Sequence, residues 1–227
     1  MDRVKEYIHV EIEKIKNISG WKAKLEYIWE YYWIPIVAIL ATIFMIIFAW
    51  NQYFNSIKDY WFYVTFANTT ADIGDDSDLY NGFVDYAGFD LTQKNVEFNN
   101  QAYFDYGVNE TGNTYFESFI TYTDAGTLDC VTMTCDQLEL LGQSGRLLDL
   151  DSEECASIKE KFGDKFLYAT PYDSEYSDQP VAIGIDISDS ILMSEYDIYA
   201  DSCAIGIGAN TQNLEAVEAF LEYIYKE

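Results

Sequence analysis

Apolar residues in the first thirty positions recur at helical spacing, with Val4, Ile8, Ile12 and Ile15 on one stripe, and this predicts an amphipathic helix that Gly20 ends. Charge then disappears from Tyr31 to Trp50, a run of 20 residues. At ~1.5 Å per residue a helix of that length reaches ~30 Å, the thickness of a bilayer core. Tyr31, Tyr32 and Trp33 flank one end and Trp50, Tyr53 and Phe54 the other, as expected where rings sit at headgroup depth. The pattern divides the chain into an amphipathic segment at 1–30, a transmembrane signal anchor at 31–54 and an outer domain at 55–227. A cleaved signal peptide fits less well, because a mixed-charge segment precedes the apolar run and no small-residue cleavage site follows it. Pro35 falls in the first turn of the run, where it is expected to bend the chain at the interface. The amphipathic segment either lies on the inner leaflet or meets a helix of a partner membrane protein.

Beyond Asp59 short apolar runs alternate with helical patterns, the mark of a three-layer α/β domain with a largely parallel sheet. Strands are expected at Trp61–Phe66, Asn95–Asn99 and Asp129–Thr134, with helices near Leu79–Tyr86, Tyr115–Tyr122 and Asp136–Leu141. Further strands are read at Phe166–Ala169, Val181–Ile187 and Cys203–Gly208, and a closing helix at Leu214–Ile224. Thr211 or Asn213 is expected to cap that last helix.

Charge adds direction to this layout. The chain carries 13 bases and 39 acids, a formal charge of −26, and the 33 acids and seven bases beyond the apolar run account for all of it. Such a surface repels phosphate backbones, so nucleic acid is excluded as a partner. Six bases precede the run, whereas Lys58 is the only one within 20 residues after it. By the positive-inside rule the N-terminus is cytoplasmic and the acidic domain lies outside.

Around the third strand the residues read Asp124-Ala-Gly-Thr-Leu-Asp-Cys-Val-Thr-Met-Thr134, then Gln137-Leu-Glu-Leu-Leu-Gly142 and Gly145-Arg-Leu-Leu-Asp-Leu150, and the chain closes with Gly208-Ala-Asn-Thr-Gln-Asn-Leu-Glu-Ala-Val-Glu-Ala-Phe-Leu-Glu-Tyr-Ile224. This pattern resembles the first lobe of the extracellular solute-binding proteins of the type 2 periplasmic-binding fold. The start Tyr27-Ile-Trp-Glu-Tyr-Tyr-Trp-Ile-Pro35 is similar to that of single-span Firmicutes membrane proteins that carry such an outer domain. The resemblance implies a solute-binding-like module. Only about 50 residues separate the matched parts, where the family inserts most of a second lobe, and no lipobox cysteine follows the apolar run. The resemblance therefore implies a reduced, membrane-anchored form with a shallow or missing cleft.

The only histidine, His9, precedes the apolar run, so the outer domain cannot assemble a Ser-His-Asp or Cys-His nucleophile. Cys130, Cys135, Cys155 and Cys203 follow one another at spacings of 5, 20 and 48, without the paired knuckles of a zinc site. Their even number outside the membrane makes them candidates for two disulfides, with four buried thiols as the alternative. The acidic stretch Asp72–Asp78 lacks an EF-hand register and reads as a helix-capping loop. Gly206-Ile-Gly208 opens no dinucleotide fingerprint, and nothing in the sequence calls for a cofactor. Ligands of open α/β sheets bind beyond the carboxyl ends of strands, which selects Asn68, Thr69 and Asp136, with Tyr172 after the fourth strand as a further candidate. The function expected is non-catalytic recognition of a small ligand or envelope partner. The alternative is an assembly subunit of a membrane complex whose outer domain is an acidic scaffold, and a carboxylate-based hydrolase stands third.

Overall fold

A computed structural model describes residues 2–56, 58–104, 114–172 and 177–226, in two compact units, Met1–Ile57 and Lys58–Glu227. In the first, helix α1 (Asp2–Asn17) is followed by helix α2 (Trp21–Ser56). Gly20, with φ +93°, makes the turn between them, a conformation that only a residue without Cβ adopts cheaply. Glu11 on α1 accepts hydrogen bonds from Lys14 Nζ (2.6 Å), Tyr27 Oη (3.3 Å) and Tyr32 Oη, which fasten α1 beside the first turns of α2. The side chains of Val4 and Ile8, half of the expected stripe, lie outside the described residues. Helix α2 is 36 residues long, and among the described residues it is the one helix long and apolar enough to cross a membrane, with none of its apolar window buried. It begins well before the apolar run and continues through Pro35. Pro35 therefore stands in a helix interior rather than a first turn, where its missing N–H leaves only one carbonyl to be satisfied otherwise.

In the second unit the order is β1 (Tyr60–Phe66), α3 (Asp78–Ala87), β2 (Asn95–Asn99), α4 (Thr114–Asp124), β3 (Cys130–Met133), α5 (Cys135–Gly142), α6 (Ala156–Phe162), β4 (Phe166–Ala169), β5 (Val181–Asp186), α7 (Ile191–Ser194), β6 (Ala204–Ile207) and α8 (Leu214–Ile224). These six strands form one sheet in the order β2-β1-β3-β6-β5-β4. The expectation of a largely parallel sheet is corrected. Strand β1 is parallel to both β2 and β3, but β3–β6, β6–β5 and β5–β4 are all antiparallel. Connection chemistry explains the change, since a parallel crossover needs a helix-sized link. Helices α3 and α4 supply such links in the first half. Between β4 and β5 no described residue is helical, and between β5 and β6 there is only the single turn α7.

Both faces of the sheet are covered. Phe62, Phe66, Phe83, Phe98 and Phe220 join β1, β2, α3 and α8 in one core, with the rings of Phe62, Phe83 and Phe220 each 5.1 Å from the other two. On the opposite face Phe119, Val131, Met133, Leu138 and Leu141 bring α4 and α5 against the sheet. Ser77 Oγ accepts the Tyr80 N–H (3.1 Å) and caps α3, whose far end closes on Gly88 in the left-handed region. The closing helix is held differently from expectation, because neither Thr211 nor Asn213 caps α8 with its side chain; both turn inward to Asp129.

Helix α5 can sit close to β5 because Gly184 has no side chain. A Cβ there would stand 2.4 Å from Leu138 Cδ2 and 2.8 Å from the carbonyl oxygen of Ile205. Gly184→Ala is expected to destabilise the domain by about 1–3 kcal/mol through overpacking. Thermal unfolding of the full chain checks this, and an unchanged midpoint would contradict the close seat of α5.

Candidate functional site

The chain leaves β1 toward α3 on one face of the sheet and leaves β3 toward α5 on the other. Adjacent strands whose connections diverge in this way open a crevice at their carboxyl ends, the usual ligand position in open α/β sheets. Here Tyr199 occupies it. The Tyr199 hydroxyl lies 2.8 Å from the carbonyl oxygens of both Ala67 and Thr132, shares its proton between them, and is 3.1 Å from Thr132 Oγ1. The residue is buried, and Ala67 N–H donates to the same Thr132 carbonyl (2.9 Å). A buried hydroxyl must find partners, and these three fix Tyr199 across the gap between the strands.

Of the sequence-derived candidates, Asn68 and Thr69 lie beside this plug and Asp136 opens α5 beyond β3, but Tyr172 is corrected to the opposite edge of the sheet, because β4 runs opposite to β1 and β3. Asn68, at φ 60°, donates from Nδ2 to the Phe104 carbonyl (3.1 Å) and accepts from Phe104 N–H (2.7 Å), which pins the segment after β2. Thr69 Oγ1 donates to the Ile198 carbonyl (2.8 Å), next to Tyr199, and accepts from Ala71 N–H. Asp136 is exposed in the first turn of α5. Tyr172 is exposed and tied by its backbone N–H to the Gln143 carbonyl at the end of α5. Tyr199 itself was not foreseen, since it lies in an irregular segment with no periodicity to single it out among twenty tyrosines.

At the opposite edge of the sheet the buried Asp129 performs a matching task. One carboxylate oxygen accepts Tyr63 N–H of β1 (2.9 Å), and the other accepts Thr211 Oγ1, with Asn213 Nδ2 at 3.2 and 3.3 Å from the two oxygens. Burial pushes this carboxyl up, against the opposing effect of the bonds from Thr211, Tyr63 and Asn213. Beside this clamp lie two cavities of about 340 and 450 Å³ that share Gln212 and Asn213. Lys58, Tyr60 and Lys94 line the first, and Trp61, Phe89 and the start of α8 line the second. Trp61 stacks on Phe89 (5.6 Å, 1°) and Lys94 Nζ stands 4.8 Å from the Trp61 ring centroid. Trp61 Nε1 donates to the Asp90 carbonyl (3.1 Å) and Lys58 Nζ to that of Leu91 (3.2 Å). The result is an open groove, polar and cationic at one end and aromatic at the other.

A third cavity, of about 420 Å³, is lined by Asp72, Asp75 and Glu97. Burial and the neighbouring Asp75 push the Glu97 carboxyl up, while Asp75 Oδ1 accepts the Phe98 N–H (3.1 Å) and covers the edge of β2. Among the described residues no three His, Cys, Asp or Glu side chains come together to hold a metal. The cysteines named above as disulfide candidates, Cys130, Cys135, Cys155 and Cys203, are free thiols here, three of them buried. Burial is the largest influence on each thiol and pushes it up, the opposite of what a nucleophilic thiolate requires.

Two outcomes follow from the clamps. Tyr199→Phe removes the hydroxyl and should cost about 1–3 kcal/mol, read as a lower midpoint of thermal or urea unfolding; wild-type stability would mean that the crevice is not held by this bond. For Asp129 the raised folded-state pKa means that ionisation penalises the native state. Its contribution is therefore most favourable below the unfolded value of about 3.9 and is lost as pH rises through the folded value. Lowering the pH from 7 toward 4 should thus stabilise wild type relative to Asp129→Asn, and parallel urea midpoints for the two proteins across that range would contradict the assignment.

No protein-family model, curated protein or solved structure matches this chain.

Proposed function

We propose that the chain is a single-pass membrane protein, N-terminus cytoplasmic, whose outer domain recognises a ligand or envelope partner without catalysis, as a reduced counterpart of one solute-binding lobe. The span rests on α2 and its aromatic flanks, and the orientation on the six bases before the apolar run against Lys58 after it. The observation that carries the reading is a contrast between two edges of the sheet. The crevice where such domains usually bind is filled by Tyr199, whereas the groove of Lys58, Lys94, Trp61 and Phe89 stays open. Concave sites that combine aromatic surface with a few convergent polar groups are the common form of a small-molecule site.

A second reading, an assembly subunit with an acidic scaffold, is favoured by the exposed Leu140 on α5 and the exposed Tyr172 tied to its end. Thermal unfolding of the full chain in detergent, with calcium, sugars, amino acids and peptides, separates the two. A ligand selective for the native state must raise the midpoint, and the groove reading expects a saturable rise that Lys94→Ala abolishes. A flat panel from a cooperatively unfolding protein would overturn it in favour of the scaffold.

A further inference from the structure

We propose that β4 pairs antiparallel with β4 of a second copy of this chain, joining two six-stranded sheets into one. The inference goes beyond the recognition reading and takes from it only that α2 holds copies in one bilayer. The first observation is a contrast between the two edge strands. In the order β2-β1-β3-β6-β5-β4, β2 and β4 each leave one row of backbone groups without a strand partner, a template for another strand unless the protein guards it. Strand β2 is guarded, since Glu97 puts a charge at its centre and the Asp75 carboxylate accepts the Phe98 N–H (3.1 Å). Strand β4, Phe166-Leu-Tyr-Ala169, carries neither charge nor proline. The bulge in its pairing falls on β5, where Ile183 is passed over between Gly184 and Ala182. Among the described residues no backbone hydrogen bond joins Leu167 or Tyr168 to anything but β5.

The second observation is charge, and it selects the occupant. A chain of formal charge −26 repels its own copies over most of its surface. Residues 156–172, which lead into β4 and out of it, hold three of the seven bases beyond the apolar run and two of the 33 acids there. Those bases, Lys159, Lys161 and Lys165, also neutralise Asp151 (2.8 Å), Glu222 (2.6 Å) and Asp189 (2.6 Å). A copy therefore meets least repulsion along this edge. A two-fold axis through Tyr168, perpendicular to the sheet, keeps each face on its own side. It sets Tyr168 against its counterpart, Leu167 against Ala169 and Lys165 against Pro171, so no charge opposes its like. Tyr168 is 48% exposed, and an aromatic pair across an antiparallel seam covers it. Four residues make a short seam, and confinement by α2 supplies the effective concentration it needs.

The test reconstitutes the full chain in phosphatidylcholine vesicles. Single-molecule photobleaching should show dimers for wild type, and Tyr168→Lys, which sets like charges across the axis, should raise the dissociation constant about tenfold. Under copper phenanthroline with dioxygen, Tyr168→Cys should lock into a disulfide-linked dimer, since directly opposed residues stand within disulfide reach. Leu140→Cys, exposed on α5, should not crosslink, and neither should wild type, with three of its four cysteines buried. A monomeric wild type would overturn the proposal and leave the edge to a strand of another protein. So would a dimer indifferent to Tyr168→Lys, or one that crosslinks through Leu140→Cys and not Tyr168→Cys, which would place the contact on the face of α5. Resistance to alkaline carbonate reads the span separately, so a chain that washes off contradicts the anchor while the crosslink still reports on the seam.

Discussion

The α/β domain depends on the seam between β1 and β3. Only three residue pairs hold these strands in register, Val64 with Cys130, Thr65 with Val131 and Phe66 with Thr132, and the connections from the two strands diverge to opposite faces. A short parallel seam of this kind is weak on its backbone bonds alone. Each end is therefore closed by a buried polar side chain. Asp129 bonds the Tyr63 N–H and the turn before α8 at one end, and Tyr199 bonds the carbonyls of Ala67 and Thr132 at the other. Buried polar groups with all their partners are costly to disturb, because each bond lost leaves a desolvated atom behind.

Closing the seam has a consequence for function. The carboxyl-end crevice of an open α/β sheet is available for ligands only if the chain leaves it empty, and here the segment between α7 and β6 fills it with Tyr199 and ties Thr69 to Ile198. Recognition, on our reading, moves to the amino-end groove lined by Lys58, Lys94, Trp61 and Phe89. The domain's net charge of −26 favours solubility and disfavours anionic ligands over its surface as a whole.

Much of this fold was legible in the sequence. The strands at Asn95–Asn99 and Phe166–Ala169 and the helix at Leu214–Ile224 fall where the sequence places them, the helix because its 3.6-spaced apolar face is the face that packing buries. Strand direction did not show, since periodicity is blind to it and only the length of the β4–β5 and β5–β6 links carries the antiparallel outcome. Helix α6 passed unread: it is seven residues long, with Ile158 as its one fully buried side chain, too little for a stripe. The site was less legible than the fold. Asn68 and Thr69 do sit at the carboxyl edge, but their polar atoms bind neighbouring backbone, and the groove joins residues near 60, 90 and 213 that no local motif connects. Lys94 illustrates the difficulty, for its value comes only from the Trp61 ring that pairing of β1 with β2 brings beneath it.

The central claim, that the β1–β3 seam is shut at both ends in the native protein, is tested most directly by native-state amide hydrogen exchange on the full chain in a bilayer. The account predicts that Tyr63 and Ala67, whose N–H groups donate to Asp129 and Thr132, exchange only through global unfolding and follow urea as the core strands do. Exchange at Ala67 through a local, urea-insensitive opening, with the core still protected, would contradict it and return the crevice to the list of binding sites.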